Sequence, residues 1–123
     1  MGTSTFSQYT VVADVSVVAV DPKAPLNRVC LLGCGITTAW GAVVKQPGIQ
    51  GSTVAVFGCG AIGLGVIETS RFVGAARIIA IDTNLGKESW ARKFGATDFI
   101  NPGTSFSLHR LEGLADDAVS PTW

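Results

Sequence analysis

The chain has 123 residues, 47% of them hydrophobic, with nine Lys and Arg balanced by nine Asp and Glu. That is about one small domain with enough apolar mass for a buried interior. Zero formal net charge and dispersed basic residues exclude the basic stripe that nucleic-acid phosphates demand, so no nucleic-acid partner is expected. No apolar run approaches the roughly 20 residues of a bilayer span, and "MGTSTFSQYT" lacks the basic start and apolar centre of a secretion signal. A soluble, cytoplasmic protein without a membrane partner is expected.

Residues 6–20, with "YTVVADVSVVAV", alternate apolar and polar positions in places and are rich in valine, which predicts two strands with a bend near Asp14. Pro25 can open a helix that places Leu26, Val29, Cys30 and Leu32 on one face, with Cys30 in the core. Gly33-Cys34-Gly35 is expected to interrupt it, and Thr37 or Thr38 to cap a new helix that Pro47-Gly48 ends. "TVAVF" and "RIIAI" are short continuous apolar runs, the mark of strands buried on both faces of a parallel sheet. Between them, Ile62, Val66, Thr69 and Val73 share a helical face, with Gly74 as the stop. "LGKESWARKF" is a second helical pattern with Trp90, Ala91 and Phe94 inward, closed by Gly95, and "TDFI" is a third strand. The fold class is α/β, a β-α-β-α-β parallel sheet forming one half of a doubly wound domain. Beyond Pro102 only a short helix around Leu108 to Leu114 is legible.

Gly58-Cys59-Gly60-Ala61-Ile62-Gly63 fits G-x-G-x-x-G, a weak signal alone in a chain with 15 glycines. Its position between a strand and a helix strengthens it, as does Asp82 at the end of the next strand. Gly58 suits a tight turn, Gly60 close backbone approach to a diphosphate, and Gly63 close packing of helix on strand. The first amides of the helix would face phosphate oxygens. Asp82 would accept from ribose hydroxyls and repel a 2′-phosphate, which favours NAD over NADP; Thr83 and Asn84 supply no arginine to reverse that choice. Cys59, at a variable position of the motif, is expected to be small filling. Three cysteines without a C-x-x-C pair, and a single histidine, make a disulfide framework or a self-contained zinc site improbable.

"GTSTFSQYTVV", "APLNRVCLLGCGITTAWGA", "GSTVAVFGCGAIGLG", "RIIAIDTN" and "ARKFGATDFINP" together resemble, in order, the zinc-dependent medium-chain alcohol dehydrogenases, in particular their class III, glutathione-dependent formaldehyde dehydrogenase branch. The resemblance implies oxidation of a primary alcohol or S-(hydroxymethyl)glutathione by hydride transfer to NAD. It implies Cys34 as one catalytic zinc ligand, Thr38 as the threonine packed on the nicotinamide, Ile62 behind that ring and Lys87 near the adenosine ribose. Cys34 within "GCGITT" speaks against the zinc-free quinone oxidoreductase branch.

By the same resemblance, residues 1–35 are a remnant of a β-rich catalytic domain, 36–102 part of the NAD-binding domain, and 103–123 a departing tail containing His109. Trp40 stands where the family commonly has tyrosine or a smaller residue. The family's other zinc ligands, its structural zinc lobe, the second half of its nucleotide domain and the strand through which its members commonly form homodimers have no counterpart in the sequence. The expectation is an internal fragment or aberrant gene model, inactive alone. A non-catalytic dinucleotide-binding module and an interaction fragment pairing through an open sheet edge are the alternatives.

Overall fold

The computed structural model describes residues 6–105; the expected helix near Leu108 and His109 lie outside them. In chain order the elements are α1 (Leu26–Val29), a π-helical turn (Leu32–Ile36), α2 (Thr37–Val44), β1 (Thr53–Phe57), α3 (Ala61–Val73), β2 (Arg77–Ile81), α4 (Glu88–Phe94), β3 (Asp98–Ile100) and α5 (Pro102–Ser105). The three strands form one parallel sheet in the order β1-β2-β3. Thr53 to Phe57 run opposite Arg77 to Ile81, and Ile79 to Ile81 opposite Asp98 to Ile100. This register brings the C-terminal ends of all three strands to one side, where ligands bind in open α/β sheets.

The central strand is the most apolar and the most buried: Ile78, Ile79, Ala80 and Ile81 are all inaccessible. One core joins Val56, Cys59, Ile67, Ile78, Ala80, Ala91 and Ala96, uniting β1, α3, β2 and α4. Each fully buried isoleucine contributes about 1.5–3 kcal/mol through apolar burial. α3 stops at Gly74, whose φ of 91° is left-handed and whose amide donates to Arg71, while the Ala75 amide donates to Ser70. α2 packs on α3 through buried Ala39 and Val43, and a Cβ at Gly65 would lie 2.7 Å from the Ala39 Cβ. The small residue at 65 therefore sets the helix separation.

Several expectations are corrected. Residues 6–20 form no strand: a 3-10 turn at Asp14–Ser16 interrupts extended backbone, and Val11, Val15 and Val18 are about nine-tenths exposed. Alternation specifies a strand only where a partner strand and a covering face are present, and no strand pairs with this segment among the described residues. Gly33-Cys34-Gly35 does not break the helix. The backbone stays right-handed through Cys30, Leu31 and Ile36, widening to a π turn in which the Ile36 amide donates to the Leu31 carbonyl at 3.1 Å. Thr37 is not a cap, because its hydroxyl donates backwards to the Leu32 carbonyl.

The unbroken run Leu26–Val44 therefore reaches 19 residues and is apolar enough for a span by length and composition, which the sequence, divided at the glycines, concealed. Cys30 is exposed rather than core. On α4, Ala91 is buried and Phe94 half-buried, but Trp90 faces outward, stacked 5.3 Å beneath the Lys93 ammonium. On α3, Ile67 and Ser70 are deeper than Ile62, which is 46% exposed.

Arg77 and Asp98 tie β2 to β3 by paired hydrogen bonds of 2.8 and 3.0 Å. Asp98 also accepts from the Thr97 hydroxyl at 2.7 Å. The Arg77 bond, outweighing burial and helped by Thr97, lowers the Asp98 pKa to about 2. A carboxyl depressed in the folded state contributes stability that is present above its ordinary pKa of about 3.9 and is lost as pH falls through its folded value. Asp98→Asn should therefore lower the urea midpoint at pH 6, and the gap from wild type should shrink steadily between pH 4 and pH 2. A gap independent of pH would show the ion pair to be immaterial.

Candidate functional site

β1 ends at Phe57, and the chain turns at once. Gly58 has φ +90°, a conformation a side chain would strain, and its amide donates to the Ile81 carbonyl at 2.8 Å, continuing the β1–β2 ladder into the turn. Cys59 is completely buried and belongs to the core, as small filling should. Burial first, then the negative charge of Asp82, pushes its thiol pKa up, so it is a poor nucleophile. Gly60, extended at φ −80° and ψ −168°, is the residue from which α3 starts at Ala61.

The three glycines are required for different reasons. A Cβ on Gly63 would lie 1.8 Å from the Gly58 carbonyl oxygen, so Gly63 is dictated by packing. Gly58 is dictated by its dihedral angle. A Cβ on Gly60 would meet nothing within 4 Å, and its φ is ordinary. Nothing among the described residues demands glycine there. The open space in front of Gly60 lies at the head of a thirteen-residue helix whose first amides have no helical partner.

Asp82 follows β2 directly and faces this turn. One carboxylate oxygen accepts from the Cys59 amide at 2.7 Å, and the other from the Asn84 amide at 2.8 Å. The Asn84 bond foremost, then the Cys59 bond, lowers its pKa against a small opposing desolvation, with the positive charge of Lys87 assisting. Asp82 is therefore an ionised carboxylate with lone pairs left for further donors. It borders a cavity of about 230 Å³ with Phe57, Gly58, Ile81, Thr83 and Pro102, at the C-terminal ends of the strands.

Two contributors escaped the sequence reading. The Asn84 side chain accepts from the Gly86 amide at 2.9 Å and shapes the turn carrying Lys87. Buried Asn101 donates to the Thr83 carbonyl at 2.7 Å, pinning the segment after β2. The only sequence signal was an Asn-Pro step after a strand, which marks a turn.

Cys34 lies exposed in the π turn and Thr38 exposed in the first turn of α2. The residues after Cys34 reach the glycine turn: Gly35 and Ile36 share an apolar cavity of about 210 Å³ with Ala61, Leu64, Gly65 and Phe94. Ala61 and Ile62 are both exposed at the head of α3. The chain thus brings Gly58 to Gly63 and Asp82 into direct contact, sets Lys87 beside Asp82, and flanks the turn with the helical run that carries Cys34 and Thr38. Among the described residues no three His, Cys, Asp or Glu side chains are grouped to hold a metal ion. Tetrahedral zinc requires at least three protein ligands, so the donor set around Cys34 does not fit a zinc site by itself.

A Gly58–Asp82 geometry on adjacent parallel strands is shared by many nucleotide-binding folds, and comparison with known proteins separates them. S-(hydroxymethyl)glutathione dehydrogenase of Saccharomyces cerevisiae is 63% identical over 103 residues, 83% of this chain and 27% of that protein. The enzyme of the same name in Aspergillus oryzae is 58% identical over 103 residues, again 83% of this chain and 27% of its own length. Benzyl alcohol dehydrogenase from Acinetobacter calcoaceticus superposes with a TM-score of 0.70 at 32% identity, over 80% of this chain and 28% of that one. Over about four-fifths of its residues the chain is similar to alcohol dehydrogenases of the medium-chain type. It spans about a quarter of the length of the curated relatives it matches. No family model matches it. An alcohol dehydrogenase zinc-binding domain protein from Burkholderia ambifaria, at 35% identity and a TM-score of 0.69 over 77% of this chain and 26% of that one, extends the likeness to zinc-containing members. The partial Rossmann architecture expected from the sequence agrees with these dehydrogenase neighbours.

Proposed function

We propose that this chain binds NAD, with the diphosphate on the amides that open α3 and the adenosine ribose on Asp82, and that the site serves NAD-linked oxidation of a primary alcohol or S-(hydroxymethyl)glutathione. The observation that carries the reading is the Asp82 carboxylate, 2.7 Å from the Cys59 amide in the middle of the glycine turn. NAD supplies the hydride acceptor when bound. The chain's residues do the positioning: Gly58 and Gly63 fix the turn, Gly60 leaves the approach open, and Ala61 begins the helix whose amides meet the phosphates. Thr38 and Ile62 offer exposed side chains to the nicotinamide, and Lys87 lies beside the ribose-binding carboxylate. Asp82, ionised, disfavours a 2′-phosphate.

The names of the relatives support the substrate class. Residues 1–35, 36–102 and 103–123 are assigned in the same proposal to a remnant of the catalytic domain, the nucleotide domain and a separate tail. Free Cys30, Cys34 and Cys59 accord with a reducing cytoplasm. No step is assigned to zinc, because Cys34 has no grouped co-ligands among the described residues. That same observation favours dinucleotide binding without catalysis as the function of these residues on their own.

Calorimetric titration of the full chain with NAD and with NADP tests the proposal. NAD should bind, NADP about ten-fold more weakly or worse, and stripping metal with a chelator should leave the NAD affinity unchanged. Equal affinities, or no binding heat, would overturn it.

A further inference from the structure

Cys30 and Cys34 are both exposed, and the backbone between them is helical throughout. The Cys30 amide donates to the Leu26 carbonyl at 3.2 Å, and Cys30 and Leu31 have right-handed dihedral angles. The π turn carrying Cys34 begins at Leu32. Where a right-handed helical backbone widens into a π turn, positions four apart fall about one turn apart on the same side. Two thiols with no third donor grouped beside them among the described residues do not complete a tetrahedral zinc site, but they match a soft centre that is satisfied by two sulfur ligands. Beside Cys30 a largely apolar groove of about 430 Å³ is walled by Val18, Val20, Val29, Leu32 and Gly33, room for an organic substituent on such a centre.

We infer that Cys30 and Cys34 form a two-thiol site for a trivalent organoarsenical, a soft thiophilic ligand chelated across one helical turn. With phenylarsine oxide the step is a condensation. Two arsenic–sulfur bonds form, the arsenic–oxygen bond breaks, and the oxygen leaves as water with both thiol protons; no electrons are transferred. The inference rests on the helix and the exposure of its thiols, not on NAD binding. It gives Cys30 a role that the family resemblance, which concerns Cys34 alone, does not supply. Cys59, buried, serves as an internal control.

The test is titration of the full chain with phenylarsine oxide under reducing conditions, followed by iodoacetamide and tryptic mapping. Wild type should take one phenylarsenic group on peptide 29–45, with both of its thiols protected from alkylation and the adduct surviving excess glutathione. Cys30→Ser and Cys34→Ser should each bind about 100-fold more weakly, the loss expected when one of two attachment points is removed. Moving the second thiol off the face, with Cys34→Ser and Ile36→Cys combined, should have the same effect at unchanged thiol number. Because the wild-type map needs no variant, misfolding of a mutant cannot mask the answer. Arsenic on Cys59, free alkylation of Cys30 or Cys34 in the adduct, or an undiminished affinity in either serine variant would overturn the inference. Loss of NAD binding in Asp82 variants would leave it standing.

Discussion

Gly63→Ala should destabilise the fold by about 3 kcal/mol or more, while Gly60→Ala, three residues earlier, should leave it nearly intact and weaken nucleotide binding. The difference follows from what each new methyl group would meet. At 63 it would lie 1.8 Å from a backbone carbonyl oxygen, and relief requires α3 to move off β1, separating Ile67 and Val56 in the core. At 60 the methyl would enter open space, and replacing a helix-capping glycine by alanine costs below about 1 kcal/mol. Urea unfolding monitored by circular dichroism separates the two, and calorimetry then reads NAD affinity for Gly60→Ala, expected to fall at least ten-fold. A Gly60→Ala chain that binds NAD normally would show that the space in front of the turn is not where phosphate approaches.

Asp82→Ala should weaken NAD binding by about 100-fold, the effect of losing charge-assisted hydrogen bonds worth roughly 1.5–3 kcal/mol each. It also strips the Cys59 and Asn84 amides of their acceptor. Asp82→Asn keeps an acceptor but loses the charge, so it should bind NAD with a smaller loss and cease to discriminate against NADP. Those two amides hold the Asp82 pKa below the ordinary carboxylate value. Wild-type affinity should therefore stay level as pH falls from neutral through the ordinary carboxylate range and decline only below it, as the carboxylate takes up protons. Asp82 is partly exposed, so both variants should remain folded, which the urea midpoint checks. Unaltered NAD affinity in Asp82→Ala would remove the ribose contact.

The half of the chain that holds the parallel sheet was legible because its local signals agree with its tertiary packing. "TVAVF" and "RIIAI" are apolar without interruption because they sit in a sheet covered by helices, and Gly74 and Gly95 stop their helices in left-handed or otherwise positive dihedral angles. Where packing was asymmetric, the helical wheel misled. α3 is touched by α2 on one side and by the sheet and α4 on others, so Gly65, Ile67 and Ser70 are buried beyond the predicted stripe. The valine-rich segment 6–20 carries the composition of strands but no pairing among the described residues, and propensity alone does not supply a partner. The π turn was invisible because glycine lowers helix propensity without forbidding helical dihedral angles. For the site, residue types and spacing located the glycine turn and Asp82, but the bond from Asp82 to the Cys59 amide spans 23 residues and belongs to the fold.

That bond ties the turn's shape to the fold itself. Its amide directions are set by the carboxylate, by the Gly58–Ile81 ladder bond and by a cysteine locked in the core. The conformational entropy of ordering the segment is lost once, at folding, rather than at each encounter with a nucleotide. Association should then resemble docking onto a rigid template, with a rate little affected by loop rearrangement and a modest heat-capacity change set by the contact area alone.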